Sequence, residues 1–109
     1  MKQPRELLPQ VSFSILFALS LQPRHGYEIM KQVEEDSDGK IKLGPGALYG
    51  SIKQLRDGGL IEELKSSSVN RRRYYKLSPK GWYRLNVELD YYKTTVKLSR
   101  SRHAPEMSI

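Results

Sequence analysis

The sequence contains no cysteine. That excludes a disulfide framework, a thiolate zinc site and thiol catalysis, and it suits a reducing cytoplasm. Histidine is almost as scarce. His25 and His103 are the only two and stand far apart in the chain, so neither a metal site nor a histidine-based catalytic centre has its usual ingredients. No nucleophile–base pair, phosphate loop or metal-ligand spacing occurs, which makes an enzyme the weakest reading and leaves no cofactor to expect. Long apolar runs are missing as well. The most hydrophobic stretch, residues 11–21, is too short to cross a bilayer. Lys2 and Arg5 precede it as they would in a secretory leader, but the small pair Ala18 and Ser20 falls inside the run and not after it. The run therefore reads as a buried helix in a cytoplasmic protein with no membrane partner.

Acidic residues are scarce in one half only. Residues 1–63 hold 8 Lys and Arg against 9 Asp and Glu, whereas residues 64–109 hold 11 against 3. The net charge of +7 thus sits in the second half, and charge gathered in this way points to an anionic partner. With 109 residues the chain is one small unit whose core is modest, so association would help it.

The stretch at residues 43–61 organises the rest. Pro45 suits the first position of a helix, Gly44 can precede it as the cap, and the Gly58-Gly59 pair ends it. Leu48, Ile52 and Leu55 form one apolar stripe. The other face carries Gly46, Ala47, Tyr49, Gly50, Ser51 and Lys53, which is small and barely charged. Such a face lets a bulky partner approach a positive helix start, and a nucleic-acid groove fits that description. A packing face for another helix is the alternative.

Ahead of it, an arm over residues 1–9 is kept out of helix by Pro4 and Pro9. A buried helix follows from Gln10 to Leu21, with a turn at 22–24 and a second helix opening at His25-Gly26-Tyr27 and bearing Ile29, Met30 and Val33. The acids Glu34, Glu35, Asp36 and Asp38 read as a solvated helix end, and residues 41–43 as a short strand.

After Gly59 the pattern changes to a hairpin. Residues 60–65 and 71–77 are strands around a polar tip at 66–70, with Arg73, Tyr75 and Leu77 on one face. Three consecutive arginines, Arg71, Arg72 and Arg73, exceed what protection of a strand edge needs, and they suit phosphates or a minor groove. Ser78-Pro79 then starts a long helix. Trp82, Leu85, Leu89, Tyr92 and Val96 recur at coiled-coil spacing, while Val87, Tyr91 and Leu98 lie on the opposite side. One domain can cover one stripe, and a second copy is the simplest cover for the other. A single amphipathic helix lying on its own domain is the alternative. Residues 100–109 read as a frayed tail.

The fold class is mainly α (α+β): a winged helix-turn-helix at residues 1–77 with a two-stranded wing, and a long C-terminal dimerisation helix with its tail at 78–109. The motifs Ile15-Leu16 with Leu19, His25-Gly26-Tyr27-Glu28-Ile29, Gly46-Ala47-Leu48-Tyr49 with Leu55 and Gly59-Leu60-Ile61, and Arg72-Arg73-Tyr74-Tyr75-Lys76-Leu77-Ser78 with Gly81 together resemble the short form of the PadR family of bacterial transcriptional regulators. The resemblance spans residues 11–98. It implies a homodimer whose third helices enter successive major grooves of double-stranded DNA while the wings touch backbone or minor groove. It also implies, for some members, an aromatic or drug-like effector at the dimer interface. Tyr92 stands where one ligand-binding subgroup has tryptophan, Gly50 where proline is frequent, and the serine-rich tip where glycine is usual.

The DNA-binding candidates are Pro45, Gly46, Ala47, Tyr49, Ser51, Lys53, Arg71, Arg72 and Arg73. The candidates for dimer interface and effector pocket are Phe13, Phe17, Trp82, Leu85, Leu89, Tyr91, Tyr92 and Val96. A homodimeric repressor, released by a small aromatic effector that alters the angle between the two winged domains, is the function expected. A winged-helix module for RNA or a protein partner is the chief rival.

Overall fold

Pro9 adopts φ −54 and ψ 148, an extended conformation that holds the arm out of helix. In the computed structural model, which describes residues 6–64 and 72–102, helix α1 (Gln10–Leu19) begins directly after it. The expected hairpin tip at 66–70, Arg71, His103 and the rest of the expected tail lie outside the described residues, as do Pro4 and the start of the arm; of the tail expected at 100–109, Arg100 and Ser101 instead continue the last helix.

Helix α1 stops two residues before the apolar run does, and Leu21 is exposed. The chain must turn there to reach a pairing position. Arg24 Nε donates to the Ala18 carbonyl at 3.2 Å, satisfying one of the oxygens that a helix end leaves open. Arg24 and His25 then form strand β1 (Arg24–His25).

Helix α2 (Gly26–Asp36) starts with a capping box. The Glu28 amide donates to His25 Nδ1, and the His25 amide donates to Glu28 Oε1. Asp38 and Gly39, at φ 53 and 78, make the turn beyond α2. The expected strand at 41–43 does not form, because among the described residues no neighbouring strand lies there to pair with it. Ile41 and Leu43 pack instead against the core.

Helix α3 (Pro45–Asp57) has Gly44 as its cap and Pro45 at its first position. Its stripe of Leu48, Ile52 and Leu55 is buried. Gly59 at φ +76 then turns the chain into strand β2 (Ile61–Leu64), which pairs antiparallel with strand β3 (Tyr74–Leu77). Both strands are shorter than the sequence pattern predicts. Among the described residues the sheet also has three strands and not two, in the order β1-β3-β2, with Arg24 opposite Tyr75 and His25 opposite Tyr74.

Helix α4 (Pro79–Ser101) is capped by Ser78, whose hydroxyl accepts from the Gly81 amide at 3.0 Å and donates to the Gly59 carbonyl. The α3–β2 corner and the start of α4 are thus bonded together. Gly81 is obligatory there, since a Cβ would strike the Leu60 carbonyl group. The core gathers Ile15, Leu16, Leu19, Ile29, Val33, Leu48, Ile52, Ile61, Tyr75 and Leu85 from every helix and from the hairpin. From residue 91 onward every described residue of α4 is exposed, and beyond Tyr92, which still meets Phe13, the helix projects from the domain. Among the described residues no helix is long and apolar enough to cross a membrane.

Candidate nucleic-acid interface

One side of the domain is formed by the start of α3, the start of α2 and the strand β3. On α3, Pro45, Gly46, Ala47, Tyr49, Gly50 and Lys53 are exposed and Ser51 is half-buried. A Cβ built at Gly46 or Gly50 would meet nothing within 4 Å. Among the described residues, the small face is therefore open space, and none of them packs on it. No side chain caps α3, so the amides of Gly46 and Ala47, which a helix leaves without intrahelical acceptors, lie at an exposed, positive helix end.

Lys53 is paired with Asp57 at 2.8 Å, and the hydrogen bond and charge of that ammonium hold the Asp57 carboxyl below its ordinary value. Both partners are exposed, so the pair costs little to open.

Tyr49 behaves differently from its neighbours. Although 51% exposed, its side chain leans back so that the hydroxyl lies over Gly26 at the start of α2. Beside it an open groove of about 500 Å³ is lined by His25, Gly26, Tyr27, Tyr49, Arg72, Arg73 and Tyr75. Tyr75 is its buried floor, where burial pushes the phenol above its ordinary value, helped by the Glu63 charge and opposed by Arg73 and Arg56.

The structure brings Arg72 and Arg73 to this groove. Arg72 Nη1 lies 3.1 Å from His25 Nε2, and Arg73 Nε lies 3.6 Å from Glu63 Oε1. Arg56 shares the same carboxylate oxygen at 3.6 Å. A single acid thus separates two guanidinium groups, and the edge remains cationic.

His25, Gly26 and Tyr27 are the lining residues that reasoning from chemistry did not single out. Their signal is the His25-Gly26-Tyr27 run, which opens the second helix and is one of the motifs that carry the family resemblance. Its second role depends on strand β1, whose two residues carry no pattern of their own.

The residues expected at a dimer interface divide into two groups. Phe13 and Phe17 stack at 5.7 Å, and Tyr92 meets Phe13 edge-on at 5.3 Å with Tyr91 beside it at 5.4 Å. Phe13, Phe17 and Tyr92 line an open groove of about 390 Å³ together with Leu7, Leu8 and Ile41. Leu85, by contrast, is 0% exposed inside this chain's own core, and Leu89 packs against that core. Those two serve the intramolecular packing against α1. Trp82, Val96 and Leu98 remain largely exposed along α4.

Between the two groups lies Glu88, 0% exposed. Its carboxylate accepts from the Leu8 amide at 2.9 Å and from Arg84 Nη1 at 2.8 Å. Arg84 also donates to the Glu6 carbonyl. The arm is thereby bonded to α4. Burial, with the Glu88 charge next, raises the neighbouring Tyr92 phenol.

Known proteins share this fold. The profile of the transcriptional regulator PadR-like family matches residues 15–87. A PadR family transcription regulator from Clostridium difficile superposes with a TM-score of 0.74 at 27% identity, over 88% of this chain and 100% of that one. A transcriptional regulator from Clostridium thermocellum gives 0.69 at 25% identity, over 84% and 90% of the two chains. In sequence, an uncharacterised 37.1 kDa protein from a Streptomyces fradiae transposon is 37% identical over 67 residues. That match covers 62% of this chain but only 18% of the larger protein.

Proposed function

The chain belongs to the PadR-like family of transcriptional regulators, which are not enzymes, and on that premise we propose that it is a homodimeric repressor binding specific sites in double-stranded DNA. The open face of α3 carries this reading. Among the described residues nothing within 4 Å fills the space above Gly46 and Gly50, so a base edge or sugar-phosphate backbone can approach the main chain directly. Ala47 and Ser51 border that space, and Lys53 releases Asp57 to reach a phosphate. Arg72, Arg73 and, by sequence position, Arg71 anchor the wing to the neighbouring backbone.

The winged domain of residues 1–77 reads the duplex in this account, and residues 78–109 associate. Tyr91, Tyr92, Val96 and Leu98, exposed on a helix that projects from its domain, are the surface a second copy covers. An aromatic effector entering beside Phe13, Phe17 and Tyr92 changes the angle between the two domains and so the half-site spacing. Gel-shift titration with matched duplex DNA and RNA, followed by footprinting on the chain's own promoter, tests the reading. Two protected half-sites about one helical turn apart are expected. Preference for RNA, or binding without a footprint, overturns it.

A further inference from the structure

Resting on the duplex-binding reading above, we propose that Arg56 is a further phosphate contact of the DNA interface, forming with Arg73 a two-guanidinium clamp whose anion position is marked by the Glu63 carboxylate. Arg56 lies in the last turn of α3, Arg73 directly precedes β3, and Glu63 stands on β2 opposite Tyr75. Arg56 Nη1 and Arg73 Nε each lie 3.6 Å from the same oxygen, Glu63 Oε1. Two side chains from separate elements thus converge on one anionic point between α3 and the wing.

Charge counting separates this cluster from an ordinary tie between surface elements. Fastening α3 to β2 takes one base and one acid. Here two guanidinium groups face one carboxylate, which leaves one positive charge over. The side chains of Arg56, Arg73 and Glu63 are 41%, 70% and 35% exposed, so that charge is open to an anion from outside. At 3.6 Å the contacts are ion pairs and not hydrogen bonds, and exposed pairs of this kind cost little to open. A guanidinium donates to phosphate oxygens as it does to a carboxylate.

Tyr75 ties the cluster to the groove. Its phenol is raised first by burial and then by the Glu63 charge, with Arg73 and Arg56 opposing. The three charges therefore surround one ring, and that ring is the floor of the groove beside Tyr49. Arg56 follows Tyr49 by seven positions, about two helical turns, so the two share a flank of α3. A duplex lying on the open face of α3 brings its backbone past this flank. In the free protein Glu63 offsets the repulsion between the two guanidinium groups; in the complex a backbone phosphate neutralises the charge left over.

The test uses the full chain and salt titrations of duplex binding. Arg56→Ala lowers the surplus from one charge to none, so the slope of log K against log salt should become shallower by about 0.9 per copy. Glu63→Gln raises the surplus to two and should steepen the slope by about the same amount. The double variant carries the wild-type surplus and should recover the wild-type slope. Ethylation interference should mark one phosphate in the wild type whose modification no longer matters to either Arg56→Ala or Arg73→Ala. A pair that only fastens α3 to β2 predicts weaker folding and none of these changes. An Arg56→Ala chain with the wild-type slope and interference pattern overturns the proposal, as does a Glu63→Gln chain whose slope is unchanged. Should Arg56→Ala fail to fold by circular dichroism, Glu63→Gln still decides. A wild type that binds no duplex sinks the functional reading itself, whereas specific binding by the wild type with an unmoved Arg56→Ala slope sinks the clamp alone.

Discussion

The hydroxyl of Tyr49 lies where a side chain at Gly26 would begin. A Cβ at that glycine would run into Tyr49 Oη and come within 2.9 Å of Cζ and 3.2 Å of Leu48 Cδ2. Helix α3 is thus set against the start of α2 by an aromatic ring resting on a bare backbone. The same ring forms one wall of the cationic groove.

Gly26→Ala should therefore displace Tyr49 without unfolding the chain. The atoms in the way belong to side chains, one of them the mobile end of an exposed tyrosine, and alanine is a better helix former than glycine. Duplex affinity should fall several-fold, while the thermal midpoint moves by only a few degrees. In a Tyr49→Ala background the substitution should have little further effect on affinity, since the phenol is gone and only Leu48 Cδ2 has to give by a few tenths of an ångström. Titration of the four chains of that cycle checks it.

Gly46→Glu should abolish specific binding and leave the fold intact. Its Cβ enters open space, but a carboxylate there faces the phosphates and fills the room through which the DNA backbone would approach. Circular dichroism should match the wild type. Normal binding by this variant would remove α3 from the interface.

Arg73→Ala removes a charge and not a folding interaction, because its ion pair with Glu63 is long and exposed. Affinity for specific and random duplexes should fall together. The slope of log K against log salt should shrink by about 0.9 for each phosphate that a copy of the chain no longer neutralises. A slope equal to that of the wild type would place Arg73 outside the interface.

Glu88→Ala should destabilise the chain by about 3–5 kcal/mol, the usual penalty for stripping one partner from a buried, hydrogen-bonded charge. Arg84 would lose its ion pair and the Leu8 amide its acceptor. Glu88→Gln keeps an acceptor for that amide and should cost less. Urea unfolding of the three chains gives the order directly.

Two substitutions on α4 should differ in kind. Leu89 packs against the core, so Leu89→Asp should unfold the chain. Val96 is 52% exposed, so Val96→Asp should fold but associate weakly and lose cooperative binding to two half-sites. Sedimentation with circular dichroism separates the cases. A wild type that is monomeric at micromolar concentration and still protects two half-sites would end the dimer account.

Much of this protein is local information. The Gly44-Pro45 start of α3 and its Leu48, Ile52 and Leu55 stripe are written in adjacent residues, because capping and helical periodicity involve neighbours three or four positions apart. The Gly58-Gly59 stop and the Ser78-Pro79 start of α4 are local in the same way. So is the hairpin, whose alternation and polar tip announce it. Even the open face of α3 was legible, since small residues opposite an apolar stripe have few other uses.

Tertiary structure decided what depends on distant partners. A two-residue strand at Arg24 and His25 has no periodicity to detect; it exists because Tyr74 and Tyr75 lie beside it. Residues 41–43 had the composition of a strand, and no described strand lies beside them to bond with. Nothing in the sequence around Glu88, which stands beside Leu89, marks it as a buried acid. It is buried because Leu8, 80 residues away, brings an amide to it and Arg84 brings a charge. A strand needs a second strand, and a buried charge needs donors. Those requirements are met across the fold, and no window of neighbouring residues contains them.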